Sequence, residues 1–95
     1  MIPTIGRIVH YALTQLDAEA ITQRREGQLC TQGESIRRGN PVKEGDVFPM
    51  MITRAWGDAE TSSVNGQLFM DGNDSHWLTS VSVGEGPGKF AWPQR

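Results

Sequence analysis

Turn-forming residues cut the second half of this chain into apolar runs suited to strands and too short for long helices. Residues 47–56 (VFPMMITRAW), 64–70 (VNGQLFM), 76–83 (HWLTSVSV) and 90–92 (FAW) are separated by stretches rich in Gly, Asp, Asn, Ser and Pro. With 11 glycines and 5 prolines in 95 residues, punctuation of this density predicts several strands joined by tight connections. Pro49 blocks one ladder hydrogen bond, which predicts an edge or a bulge at that point of the 47–56 strand. The DGND stretch at 71–74 reads as a hairpin turn, preferred over the competing Asn65-Gly66 signal because it separates two good β runs. Alternation in the fourth run places Trp77, Thr79, Val81 and Val83 on one face, which makes Trp77 a core candidate.

The first half reads differently. Residues 5–13 (IGRIVHYAL) form a strand with Ile5, Arg7, Val9, Tyr11 and Leu13 on one face and Ile8, His10 and Ala12 on the other. Both faces are largely apolar, so the strand is expected to be central. Thr14 with Asp17 three residues on is a variant capping box, and the QLDAEAITQRR segment favours helix. Its expected apolar stripe is Leu16 and Ala20, more loosely Ala18 and Ile21. Arg24 and Arg25 complement the dipole in the last turn, and Gly27 is the expected C-cap. Polar, Gly-rich residues up to 46 then read as a loop, expected to be mobile over about 27–46. The fold class that follows is mainly β (α+β): a small bent antiparallel sheet or barrel of 4–5 strands with one helix near the N-terminus, residues 1–95 forming one domain.

Charge narrows the function. A net charge of −2 with scattered basic residues argues against a duplex-DNA binder. A single cysteine, Cys30, permits neither an internal disulfide nor a cysteine-rich zinc site. No secretory leader and no apolar run of about 20 residues is present, so no membrane partner is expected and the reading is cytosolic. The stretch GEGPG lacks the Lys-Ser or Lys-Thr of a phosphate loop, and DGND lacks the remaining ligands of a calcium loop. His10 and His76 carry neither a His-x-Thr/Ser pattern nor a neighbouring nucleophile motif, so no enzyme, no metal and no cofactor is expected.

What remains is recognition chemistry. Trp56, Trp77 and Trp92 are many tryptophans for 95 residues, and rings at strand ends can stack on a base. Arg7 and Arg54 sit on strands, where a guanidinium fork suits phosphate oxygens. Lys89 stands beside the Gly-rich GEGPG rim. The candidate ligand-binding set is Arg7, His10, Tyr11, Arg54, Trp56, Trp77, Lys89 and Trp92. Phe48, Met50 and Ile52 form an apolar face expected to need a second copy as cover, giving at least a dimer with Arg54 and Trp56 at a shared site.

The segments MIPTIGRIVHYAL, DAEAI, RR, GNPV and VFPM, followed by VNGQLFMDGNDSHWLTSVSVGEGPGKFAWPQR, occur in that order along the chain. In this it resembles a family of small, largely uncharacterised tailed-phage proteins, over nearly its whole length except residues 27–38. The resemblance implies phage origin and a host-cytoplasm setting. By analogy of class, phage accessory proteins of this size often counter host defence, some as oligomeric sponges that sequester cyclic-nucleotide or ADP-ribose-derived immune signals. Binding residues of those proteins do not map onto this chain. The alternative expectation is a protein–protein module, either a virion or assembly component or an inhibitor of a host protein.

Overall fold

The structure, a computed structural model, describes residues 1–29, 40–72 and 74–93, with the side chains of residues 26–29 outside that description. The chain runs β1 (Ile8–Ala12), α1 (Gln15–Leu29), β2 (Val47–Ala55), β3 (Val64–Phe69), β4 (Ser75–Val83) and β5 (Lys89–Ala91). The strands form a closed barrel in the order β1-β2-β3-β4-β5. Among the described residues, the mainly β class, one N-terminal helix and a five-stranded barrel match the sequence expectation. Residues 30–39, which hold Cys30 and about half of the expected loop, lie outside the described residues.

β1 to β4 are an antiparallel meander, and β5 returns to pair antiparallel with β1 through His10↔Ala91 and Tyr11↔Phe90. Closure is completed by a short parallel pairing, Ser82↔Lys89 and Val83↔Phe90. Parallel neighbours ordinarily need a connection of about a dozen residues or more. Here the chain reverses twice within residues 84–88, because Gly86 and Gly88 take φ of 90° and 84°. The Gly88 N–H donates to the Ala12 carbonyl at 2.8 Å and pins the loop to β1.

The barrel interior is the core: Val9, Tyr11, Leu13, Met50, Ile52, Val64, Leu68, Leu78, Val81 and Phe90, closed by Ala18 and Ile21 of α1. Met50 and Ile52 are fully buried, which corrects the expectation that they face a second subunit. Sheet closure turns that face inward and leaves Val47, Pro49 and Met51 outside. The edge or bulge expected at Pro49 is also corrected. β2 is flanked by β1 and β3, Pro49 lies one residue beyond the β2–β3 register, and the irregularity falls between Ile52 and Arg54.

A second irregularity reverses the placing of Trp77. The β3–β4 register shifts between Val64 and Gly66, and Ser80 sits at φ 54°, so Leu78 and Val81 both point inward. Trp77 is therefore outside, 59% exposed, not in the core. Asn65 holds this kink: its buried Oδ1 accepts the Ser80 N–H at 2.9 Å and the Trp56 indole N–H at 3.0 Å. Gly66 is needed beside it, because a Cβ there would lie 2.6 Å from Met50 Cγ and 2.8 Å from the Met51 carbonyl oxygen.

The capping box is present in full. The Asp17 N–H donates to Thr14 Oγ1 at 3.0 Å and the Thr14 N–H donates to Asp17 Oδ2 at 3.1 Å. The helix runs to Leu29, through the expected C-cap at Gly27; one interior glycine costs only about 1 kcal/mol. Its buried stripe is Ala18, Ile21 and Arg25, whereas Leu16 is exposed. β1 is shorter than expected: it begins at Ile8, after the turn at Gly6 with φ 91°, which leaves Arg7 off the strand and Ile5 exposed. It is central in its pairing, but its outer residues Ile8 and His10 are exposed.

Candidate functional site

The β1–β5 pairing and the loop over residues 84–88 together build a cleft on the barrel wall. Its volume is about 500 Å³, and its lining comprises His10, Ala12, Val47, Gly84, Glu85, Gly86, Lys89, Ala91 and Trp92. Alternation on β1 points His10 and Ala12 outward, opposite the buried Val9 and Tyr11. Alternation on β5 does the same for Lys89 and Ala91 around the buried Phe90. Trp92 follows β5 and is half-buried, its ring edge-on to Phe90 with centroids 6.0 Å apart. The ring is thereby held at the cleft wall.

Three of the eight residues expected from sequence thus meet here: His10, Lys89 and Trp92. Arg7 stands on the other side of Trp92, in a notch of about 200 Å³ with Met1, Ile8 and Pro93. Arg54 and Trp56 form a separate pair, the guanidinium carbon 4.0 Å from the ring centroid. Trp77 lies on the outer face of β4. Tyr11 is corrected outright as a ligand contact: it is buried in the core, and its hydroxyl donates to Asp17 Oδ2. Because Met50 and Ile52 point inward, the proposed union of Arg54 and Trp56 with an interface built on them also falls.

The cleft offers one cation, one carboxylate, an imidazole, an aromatic ring and a Gly-rich backbone rim. Lys89 suits a phosphate oxygen, Glu85 suits hydroxyl or amino hydrogens, and Trp92 suits a flat heterocycle. A larger cleft of about 640 Å³ lies between α1 and residues 42–44. It is lined by Glu19 and Glu44 against Lys43 and holds no aromatic ring, so it suits such a ligand less well. Among the described residues, no group of three or more His, Cys, Asp or Glu could hold a metal ion, and no helix is long and apolar enough to cross a membrane.

A polar network that the sequence reading missed joins α1 to β4. Arg25 grips Asp74 with two bonds, Nε to Oδ2 at 2.8 Å and Nη2 to Oδ1 at 2.9 Å, and donates a third from Nη1 to the Asn40 carbonyl at 2.8 Å. Arg24 Nη1 lies 3.4 Å from His76 Nδ1, and Asp17 Oδ1 lies 3.7 Å from His76 Nε2. A guanidinium can only donate, so Nδ1 accepts and the neutral ring keeps its proton on Nε2, facing Asp17. Both nitrogens are thus engaged, which makes His76 a structural residue. The one sequence signal for this network was Arg25, seven residues after Ala18 on the buried side of the helix.

The network makes the fold acid-sensitive. Burial, reinforced by the Arg24 charge, holds the His76 pKa below its ordinary 6.5, against the pull of Asp17 and Asp74. The Arg25 hydrogen bonds hold the Asp74 carboxyl below its ordinary 3.8. Each group therefore binds protons more readily in the unfolded chain. Thermal melts are expected to fall as pH drops through about 6.5 because of His76. They should fall again below about pH 4 because of Asp74. His76→Gln should flatten the first fall and leave the second. Tyr11 works in the opposite range: burial and then Asp17 push its hydroxyl well above the ordinary 10.0, so stability should also decline above about pH 10.

No protein-family model, no curated protein and no solved structure matches this chain.

Proposed function

We propose that this chain is a phage accessory protein that binds rather than transforms its ligand. In this reading it works in the host cytoplasm. There it sequesters a small nucleotide-derived immune signal, of the cyclic-nucleotide or ADP-ribose type, and so blocks antiviral defence. The carrying observation is the convergence of Lys89, His10 and the half-buried Trp92 ring on one cleft with a glycine rim. Its volume of about 500 Å³ lies within the range of about 300–1,000 Å³ usual for small-molecule sites. Lys89 would meet phosphate, Trp92 the base, and Glu85 a ribose hydroxyl or an exocyclic amine. The phage setting rests on the sequence resemblance and the choice of signal on class analogy.

A thermal-shift panel of cyclic di- and trinucleotides and ADP-ribose derivatives tests this. A ligand at a hundred times its dissociation constant adds about 2.7 kcal/mol, or about 10 °C or more for a domain of this size. Trp92→Ala and Lys89→Glu are each expected to cut affinity at least tenfold. No shift with any member of the panel at millimolar concentration contradicts the reading.

The outer barrel face around the exposed Trp77 favours a second reading, a protein–protein module. That module would serve as a virion or assembly component or as an inhibitor of a host protein. A stoichiometric host protein retained through nuclease treatment and dialysis would support it over the first.

A further inference from the structure

The outward positions of β1 to β4 depart from the apolar-in, polar-out alternation of a solvated sheet. Ile8, Met51, Gln67 and Trp77 are successive cross-strand partners, forming one row over four strands. Phe69, two residues along β3 from Gln67, flanks that row and is 43% exposed. Residues 8–12, 47–53, 64–69 and 75–80 contain no Asp, Glu, Lys or Arg, although 21% of the chain is charged. An apolar patch of this extent, free of fixed charge, is what buried interfaces have and solvated surfaces lack.

We propose that this face is the site of self-association and that its occupant is the same face of a second copy, related by a two-fold axis. Three features select a second copy. The row itself is uncharged, with Arg7 beside Ile8 and Arg54 near the end of β2 only at its margin, so two such faces brought together oppose no like charges at their centre. Its apolar side chains expose about 400 Å² per copy, aromatic rings presenting about 150–250 Å² each when fully open. Two such faces bury about 800 Å² of apolar surface, and the polar residues around them bring the total to the roughly 1,000 Å² a specific interface requires. Twisted sheet faces also pack readily on their like, with side chains interdigitating at a small crossing angle. The proposal does not depend on what the β1–β5 cleft binds, and it competes with the protein–protein module for this one face.

Light scattering and sedimentation of the full chain over a wide concentration range test it. The expected mass is twice the 10.5 kDa of one chain. Met51→Lys and Trp77→Lys should each raise the dimer dissociation constant at least a hundredfold with the far-ultraviolet spectrum unchanged. Gln67→Lys, which removes no apolar packing within the chain, keeps the test valid should either variant fail to fold. Leu16→Lys, on the exposed side of α1, should leave the mass unaltered. A concentration-independent monomer, or a dimer that survives the folded lysine variants, overturns the proposal.

Discussion

Phe90→Ala is expected to cost about 4 kcal/mol in urea denaturation, a large part of the margin of a domain of this size. Phe90 has no exposed surface and sits where the barrel closes, beside Tyr11 of β1 and Val83 of β4. Its carbonyl accepts the Gly84 N–H at 3.0 Å, and its ring supports Trp92. Truncation opens a cavity at the narrowest part of the sheet, where β5 is only three residues long and has few hydrogen bonds to hold it. Phe90→Leu, which keeps most of the volume, should cost about 1.5 kcal/mol. A loss below about 1 kcal/mol for the alanine variant would mean that the β5 seam does not hold the barrel shut.

Asp74→Ala should cost about 3 kcal/mol, through a different mechanism. The Arg25 and Asp74 side chains are 9% and 13% exposed, so removing the carboxylate leaves a guanidinium buried without its counter-charge. The double variant Arg25→Met, Asp74→Leu removes both charges and should recover most of that loss. Hydrogen exchange should show the single variant opening α1 before the barrel, because Ala18 and Ile21 are the main apolar anchors of that helix. Equal losses in the single and double variants would contradict this origin.

Much of the barrel was legible because turn chemistry is local. The Gly- and Asp-rich stretches after residues 56, 70 and 83 are where β2, β3 and β4 end to within about one residue. The capping box was legible for the same reason. Facing was less so. Simple alternation assigns Trp77 to the core, but the slip held by Asn65 and Ser80 moves it outside, and a bulge leaves little trace in hydrophobic periodicity. The inner face of β2 looked uncovered because the other side of the barrel that covers it comes from residues distant in the chain. Of the candidate site, residue types were legible and their meeting was not. His10, Lys89 and Trp92 come together only through the β1–β5 pairing, which joins the two ends of the chain. Tyr11, four residues into β1, alternates inward and reaches Asp17 from beneath the helix.

Amide chemical shifts, followed as a stabilising nucleotide ligand is titrated into isotope-labelled protein, test the central claim most directly. Resonances of Gly84, Gly86, Lys89 and Ala91 and the Trp92 indole N–H should move together with one dissociation constant. Those of Arg54, Trp56 and residues 42–44 should stay in place. Perturbations confined to α1 and residues 42–44, or centred on Arg54 and Trp56, would contradict the assignment of the β1–β5 cleft as the binding site.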